Sequence, residues 1–294
     1  MAIKINSTNL YKRIINNKEA EKVILNQAQI WPTEIPADLN NYLYFEAATI
    51  EWCEVKLRKR YYANNTYQEI SYDKFTWSDY TFWTTISLNF WERVYFRNKS
   101  TTPTPFSNPD QYSNYHFEIT GSTYAGGDIG YLLCKNSTTD LSGLWWGCFW
   151  GLFSECYDLL TTPELPATTL EQECYEVMFA NCTSLTTVPQ LPATTVPHLC
   201  YSNMFYGCTS LNTLPTLPSL ALQGECYQGM FRNCTNIKLS TTQTWEYQTP
   251  YRIPTTWTWT AQSYALSDMF ISTWWTFTWT PTVNTTYYTS NTVV

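Results

Sequence analysis

Cys148, Cys174, Cys200 and Cys226 follow one another at intervals of 26 residues, and Cys156, Cys182, Cys208 and Cys234 repeat the series eight residues behind. Thiols in such numbers could crosslink as disulfides, ligate zinc or act as nucleophiles. Placed on a helix, two cysteines eight residues apart are separated by about 12 Å of rise. Equivalent cysteines on adjacent packed helices lie about 8–10 Å apart, and both distances are too long for a disulfide. No Cys-x-x-Cys pair is present, and His116 and His198 are far apart in sequence, so the residues call for no metal and no cofactor. The spacing predicts a ladder of buried free thiols, with Cys53 and Cys134 outside it.

Other groups that could do chemistry are few. Glu171 and Glu173 could make a glycosidase pair, but equivalent positions in other repeats hold Pro197 and Leu199, or Gln223 and Glu225, and so vary as a solvated site does. The run TGSTYAGGDIG carries Gly126, Gly127 and Gly130, spaced as a turn and not as a phosphate cradle. Lys56, Arg58, Lys59 and Arg60 form one basic cluster, expected on a solvated strand edge. No nucleophile elbow, phosphate loop, HExxH or dinucleotide fingerprint occurs, so no enzyme is expected.

The elements that hold the cysteines repeat with them. Phe153, Phe179, Phe205 and Phe231 keep the 26-residue period, as do Leu159, Leu185, Leu211 and Ile237. Within a unit, Cys174, Met178 and Cys182 fall at i, i+4 and i+8, which predicts a short helix with one apolar face. Thr169 to Gln172 matches a capping box, and the column Asn181, Gly207 and Asn233 suits a left-handed helix end. After it each unit reads as TSLTTVPQLP does, a short extended segment cut by Pro189 and Pro192.

The blocks LPATTLEQECYEVMFANCTSLTTVPQLPATTV and CYSNMFYGCTSLNTLPTLP resemble the BspA-type leucine-rich repeats, a family met in Mycoplasma-type surface proteins and in bacteriophage structural proteins. The resemblance spans about residues 146–239. It implies a solenoid that displays a surface for adhesion, and no catalytic residues.

The segment KVILNQAQIWP resembles a short motif near the start of phage tail and virion proteins, which implies an attachment arm at the N-terminus. Runs such as YLYFEA, EVKLRKRYY, TTISLNF, ERVYFRN and YHFEITG alternate with turn residues and predict a β-rich domain that caps the first coil. The expected fold is mainly β with short helices. It comprises an attachment segment over 1–40, a β-sandwich-like domain over 41–140, a four-coil solenoid over 141–239 and a β-rich cap over 240–294. YALSDMF echoes Tyr-x-x-Met-Phe off the period, as terminal caps do.

Tryptophan is abundant, at 14 residues, while glycine numbers only 10 in 294. Exposed tryptophans could stack on sugar faces. Alternatively, Trp257, Trp259, Trp274, Trp275 and Trp279 stand where resembling tails carry glycine, Trp83 and Trp91 fall at turns where glycine is expected, and the gene comes from a lineage that decodes a stop codon as glycine. Gly scarcity beside Trp excess favours the second.

A net charge of -7 argues against a nucleic-acid partner, and no run of about 20 apolar residues predicts a membrane span. The first 30 residues lack the apolar core of a secretory signal, which favours assembly in a cytoplasm where thiols stay reduced. Together these expectations describe a non-catalytic virion component, in a fibre, tail or capsid surface. Its partners would be other virion proteins through the N-terminal segment, a host protein or glycan, and further copies of itself. The runner-up is a bacterial cell-surface adhesin, and a glycan-active enzyme is the weakest alternative. Ligand contacts are expected on the columns that vary between repeats: Glu164, Gln190 and Thr216; Glu176, Ser202 and Gln228; Ala180, Tyr206 and Arg232.

Overall fold

The computed structural model describes residues 40–59, 68–104, 115–144, 146–219, 221–253, 264–275 and 280–294, with the backbone of two further strands near the N-terminus. The chain divides into two units, Met1–Asn40 and Asn41–Val294. The first unit contains a hairpin, β1 (Val23–Leu25) paired antiparallel with β2 (Ala28–Trp31).

The second unit is mainly β, with several antiparallel sheets and, among the described residues, one 3-10 helix at Ile129–Leu132. Its first part holds β3 (Leu43–Ala47), β4 (Cys53–Lys59), β5 (Gln68–Ser71), β6 (Ser78–Asp79), β7 (Ile86–Leu88), β8 (Arg93–Asn98), β9 (Tyr115–Thr120) and β10 (Thr123–Gly126). They form a five-stranded sheet, β10-β3-β8-β5-β6, and a three-stranded sheet, β7-β4-β9. Alternation sends Leu43, Phe45 and Ala47 inward from β3, and Val55, Leu57 and Phe117 inward from β4 and β9. The phenyl rings of Phe45 and Phe96 meet that of Phe117 at 4.7 and 5.3 Å.

The basic cluster does not lie on an edge. Strand β4 is the middle of its sheet, and Lys56 and Arg58 point outward to pair with Glu118 on β9. The inward alternation of Val55 and Leu57 fixes that outward direction. Arg60 lies outside the described residues.

Among the described residues of the repeats the expected short helix is absent. Residues 173–182 instead make overlapping turns in which every fourth residue is left-handed: Glu173 at φ +59°, Val177 at +48° and Asn181 at +60°. The same three columns are left-handed in the other units, at Gly147, Gly151 and Glu155, at Leu199, Asn203 and Gly207, and at Glu225, Gly229 and Asn233. Such residues cannot sit in a right-handed helix. Hydrogen bonds alternate accordingly. Met178, Ala180 and Cys182 donate their N–H groups to carbonyls three residues back, whereas Tyr175, Val177, Phe179 and Asn181 donate to Cys200, Ser202, Met204 and Tyr206 in the next unit.

Each unit is therefore hydrogen-bonded to the next like a strand to its neighbour. The phenyl column Phe117, Phe153, Phe179, Phe205, Phe231 and Phe270 stacks with ring centroids 5.3–5.7 Å apart. That spacing is close to the strand repeat and shorter than the 8–10 Å of packed helices.

Both ends of the column are occupied. At the start, Phe117 of β9 donates its N–H to Leu152, and Thr123 of β10 both donates to Asp158 and accepts from Leu160. At the far end residues 264–273 add a fifth rung, because Tyr227, Gly229, Phe231 and Asn233 donate to Ala265, Ser267, Met269 and Ile271. Thus YALSDMF continues the stack although 39 residues, not 26, separate Ala265 from Cys226.

Short strands flank the rungs: β11 (Thr195–Val196), β12 (Thr213–Leu214), β13 (Ala221–Leu222), β14 (Lys238–Ser240), β15 (Thr249–Arg252), β16 (Trp274–Trp275), β17 (Thr286–Thr289) and β18 (Thr292–Val293). β11 pairs parallel with β13, and the C-terminal β18 pairs parallel with β12. β14, β15, β16 and β17 make a four-stranded sheet, in which Tyr251 meets Phe270 edge-on. Asn291 fastens the chain end to the stack. Its side chain accepts from the N–H of Lys238 and donates to the carbonyls of Asn212 and Asn236.

Candidate ligand-presenting surface

The chemistry of the stack interior turns on its cysteines. All ten cysteines are buried and free. In the second column each thiol donates to a carbonyl on the preceding rung: Cys156 to Phe117 at 3.0 Å, Cys182 to Phe153 at 3.0 Å, Cys208 to Phe179 at 3.1 Å and Cys234 to Phe205 at 2.9 Å. The carbonyls of Phe153, Phe179 and Phe205 each also accept the N–H of the cysteine three residues on. Both lone pairs are then used, one within the rung and one between rungs.

Burial pushes the thiols of Cys182 and Cys208 far up, and that of Cys226 to about 12. They stay protonated at neutral pH and are neither nucleophiles nor ready metal ligands. Among the described residues no group of three or more His, Cys, Asp or Glu side chains could hold a metal ion.

Phe153, Phe179, Phe205, Phe231, Leu159, Leu185 and Leu211 are likewise buried, with Cys148, Cys174, Cys200 and Cys226. Tyr175, Tyr201 and Tyr227 form a second ring column, their centroids 5.9 and 5.4 Å apart. These columns turn inward because the rungs alternate two residues in with two out. Cys174 and Tyr175 are buried, Glu176 and Val177 half-buried, Met178 and Phe179 buried again.

The outward columns carry the residues that vary. Glu164, Gln190, Thr216 and Arg232 are exposed, and Glu176, Tyr206 and Gln228 half-buried. Two positions depart from the expected exposure: Ser202 is only 1% exposed and Ala180 6%. Ser202 accepts a bond from the Asn203 amide, and its small side chain lies between the longer Glu176 and Gln228 on the neighbouring rungs. The exposed positions belong to separate columns, Glu164, Gln190 and Thr216 to one and Arg232 to another.

Glu164 accepts from the Asn41 side-chain amide at 2.8 Å, and its backbone bonds to Gly127 and Ile129, so it ties the first rung to the sheets. Glu176 accepts from the Trp150 indole N–H at 3.2 Å. Burial, and then the Glu173 carboxylate, push its carboxyl up to about 7.

The glycine-rich run holds no cradle. Asp128 caps the 3-10 helix by accepting from the N–H of Gly130 at 2.7 Å, which occupies a donor that a phosphate would need. Gly127 has φ +76°, and a Cβ there would meet the carbonyl oxygen of Tyr42 at 2.0 Å. Its glycine serves a close strand approach.

Two features escaped the sequence reading: the left-handed lattice and the thiol-to-carbonyl bonds. The lattice had a legible trace in Gly147, Gly151, Asn181, Asn203, Gly207, Gly229 and Asn233, which recur on a four-residue spacing. No protein-family description, curated protein or solved structure matches the chain.

Proposed function

We propose that residues 141–239 are a leucine-rich-repeat solenoid of the BspA type, set behind a β-sandwich and closed by a C-terminal cap, and that the protein is a non-catalytic attachment component of a virion. The observation that carries this reading is the division of labour across the rungs. The repeating cysteine, phenylalanine and leucine columns are buried, whereas seven of the nine varying positions are exposed or half-buried. A surface built this way can change its ligand without changing its core, which suits adhesion to a host protein or glycan.

The N-terminal hairpin, in a unit of its own, suits an anchoring arm that joins other virion proteins. The test is to purify particles from cells that carry the gene and label them with antibody against residues 141–239. Labelling on the particle exterior, with Fab fragments blocking adsorption to host cells, is the expected result. Label confined to the bacterial envelope would favour a cell-surface adhesin instead. Polysaccharide turnover lost on a single carboxylate substitution would overturn the non-catalytic assignment.

A further inference from the structure

Two tight turns bracket strand β7, and both are built alike. Thr84 donates its N–H to the carbonyl of Thr81 at 3.1 Å, and Glu92 donates to Asn89 at 2.9 Å. The third residue of the first turn is Trp83, at φ +76°, and that of the second is Trp91, at φ +64°. The second residues, Phe82 and Phe90, are not left-handed. A turn with only its third residue left-handed is the type that calls for glycine, or asparagine, at that place.

Neither turn can relax by moving. The N–H of Trp83 is held by Leu57 of β4 at 3.1 Å, and that of Trp91 by Ala47 of β3 at 3.2 Å. The indoles give little in return, for Trp83 is 53% exposed and Trp91 45%. Their contacts lie at the surface: Arg58 sits 5.0 Å over the Trp83 ring, and Phe90 packs 4.9 Å from Trp91. A large aromatic residue in the left-handed region is a genuine outlier unless packing compensates.

Trp77, in the loop just before, is the opposite case. Its indole N–H donates to Lys74 at 2.9 Å, and its ring lies 3.8 Å under the Arg97 guanidinium and 4.8 Å from Tyr42. Arg97 in turn pairs with Glu69. These partners use both the ring and the N–H of the indole, and glycine would remove the nearer of the two rings, Trp77 and Tyr42, that face Arg97.

We infer that positions 83 and 91 carry glycine in the protein as its own cell makes it, through a codon read there as glycine and not as tryptophan, whereas Trp77 is a true tryptophan. The turn geometry carries this without reference to the proposed attachment role. It also restricts the producing cell to one whose translation apparatus inserts glycine at a codon other organisms read as tryptophan or stop.

The direct test is peptide mass spectrometry of the protein isolated from the cells or particles in which it is made. Trypsin releases Phe75–Arg93, one peptide that contains all three positions. The expected peptide is lighter than written by two Trp-to-Gly differences, with fragment ions that retain tryptophan at 77. A peptide of the written mass, or glycine also at 77, would overturn the inference. In a recombinant chain, Trp83→Gly with Trp91→Gly is expected to raise the melting temperature, and a lower one would contradict the turn argument.

Discussion

A single thiol shows what the buried cysteines do. Cys208 lies between two rungs, its S–H on the carbonyl of Phe179 and its backbone N–H on that of Phe205. Cys208→Ser keeps a donor of similar size, whereas Cys208→Ala removes it and leaves a small void. The alanine variant is expected to lose about 1–2 kcal/mol in denaturant unfolding and the serine variant less. Glu176 gives a pH signature. Its folded-state carboxyl titrates near 7, above the ordinary 4.5, so between those values the folded chain holds more protons than the unfolded one. Stability contributed at this site is complete below about pH 4.5 and falls as pH rises to about 7. Allowing for solvent screening, the loss should be on the order of 1 kcal/mol. Glu176→Gln should flatten that part of the melting-temperature profile, and an unchanged slope would place the titration elsewhere.

At the scale of the rung, the left-handed lattice is the feature that sequence periodicity disguised. Apolar residues at i, i+4 and i+8 are compatible with a helix, and Cys174, Met178 and Cys182 do share a buried side. What the pattern cannot carry is the destination of alternate N–H groups, which depends on a neighbouring unit being present. The period and the buried columns were legible because burial selects residue type directly. The fifth rung was legible only as the echo YALSDMF, because the interval before Ala265 is longer and threonine replaces the second cysteine at Thr273. Two substitutions test the lattice. Val177 is β-branched at φ +48°, where the next rung has Asn203, so Val177→Asn should stabilise by about 1 kcal/mol. Gly229→Ala should destabilise, since a Cβ would meet the Asn203 side-chain oxygen at 2.3 Å on a backbone at φ +58°. Thermal melts read both, and a helix in this segment would reverse the two signs.

Across the whole of residues 41–294, one phenyl column runs from the sheets through every repeat to the fifth rung, so the flanking strands and the repeats share a core. On the proposed attachment role, such a scaffold, bonded at both ends to flanking segments, would present its ligand contacts on the outer columns. The measurement that tests this most directly is binding of the purified chain to host cells or a glycan array, beside a variant carrying Gln190→Ala, Thr216→Ala and Arg232→Ala. Attachment through these columns predicts binding weakened about tenfold or more, with an unchanged melting temperature. Full binding by the variant would contradict it.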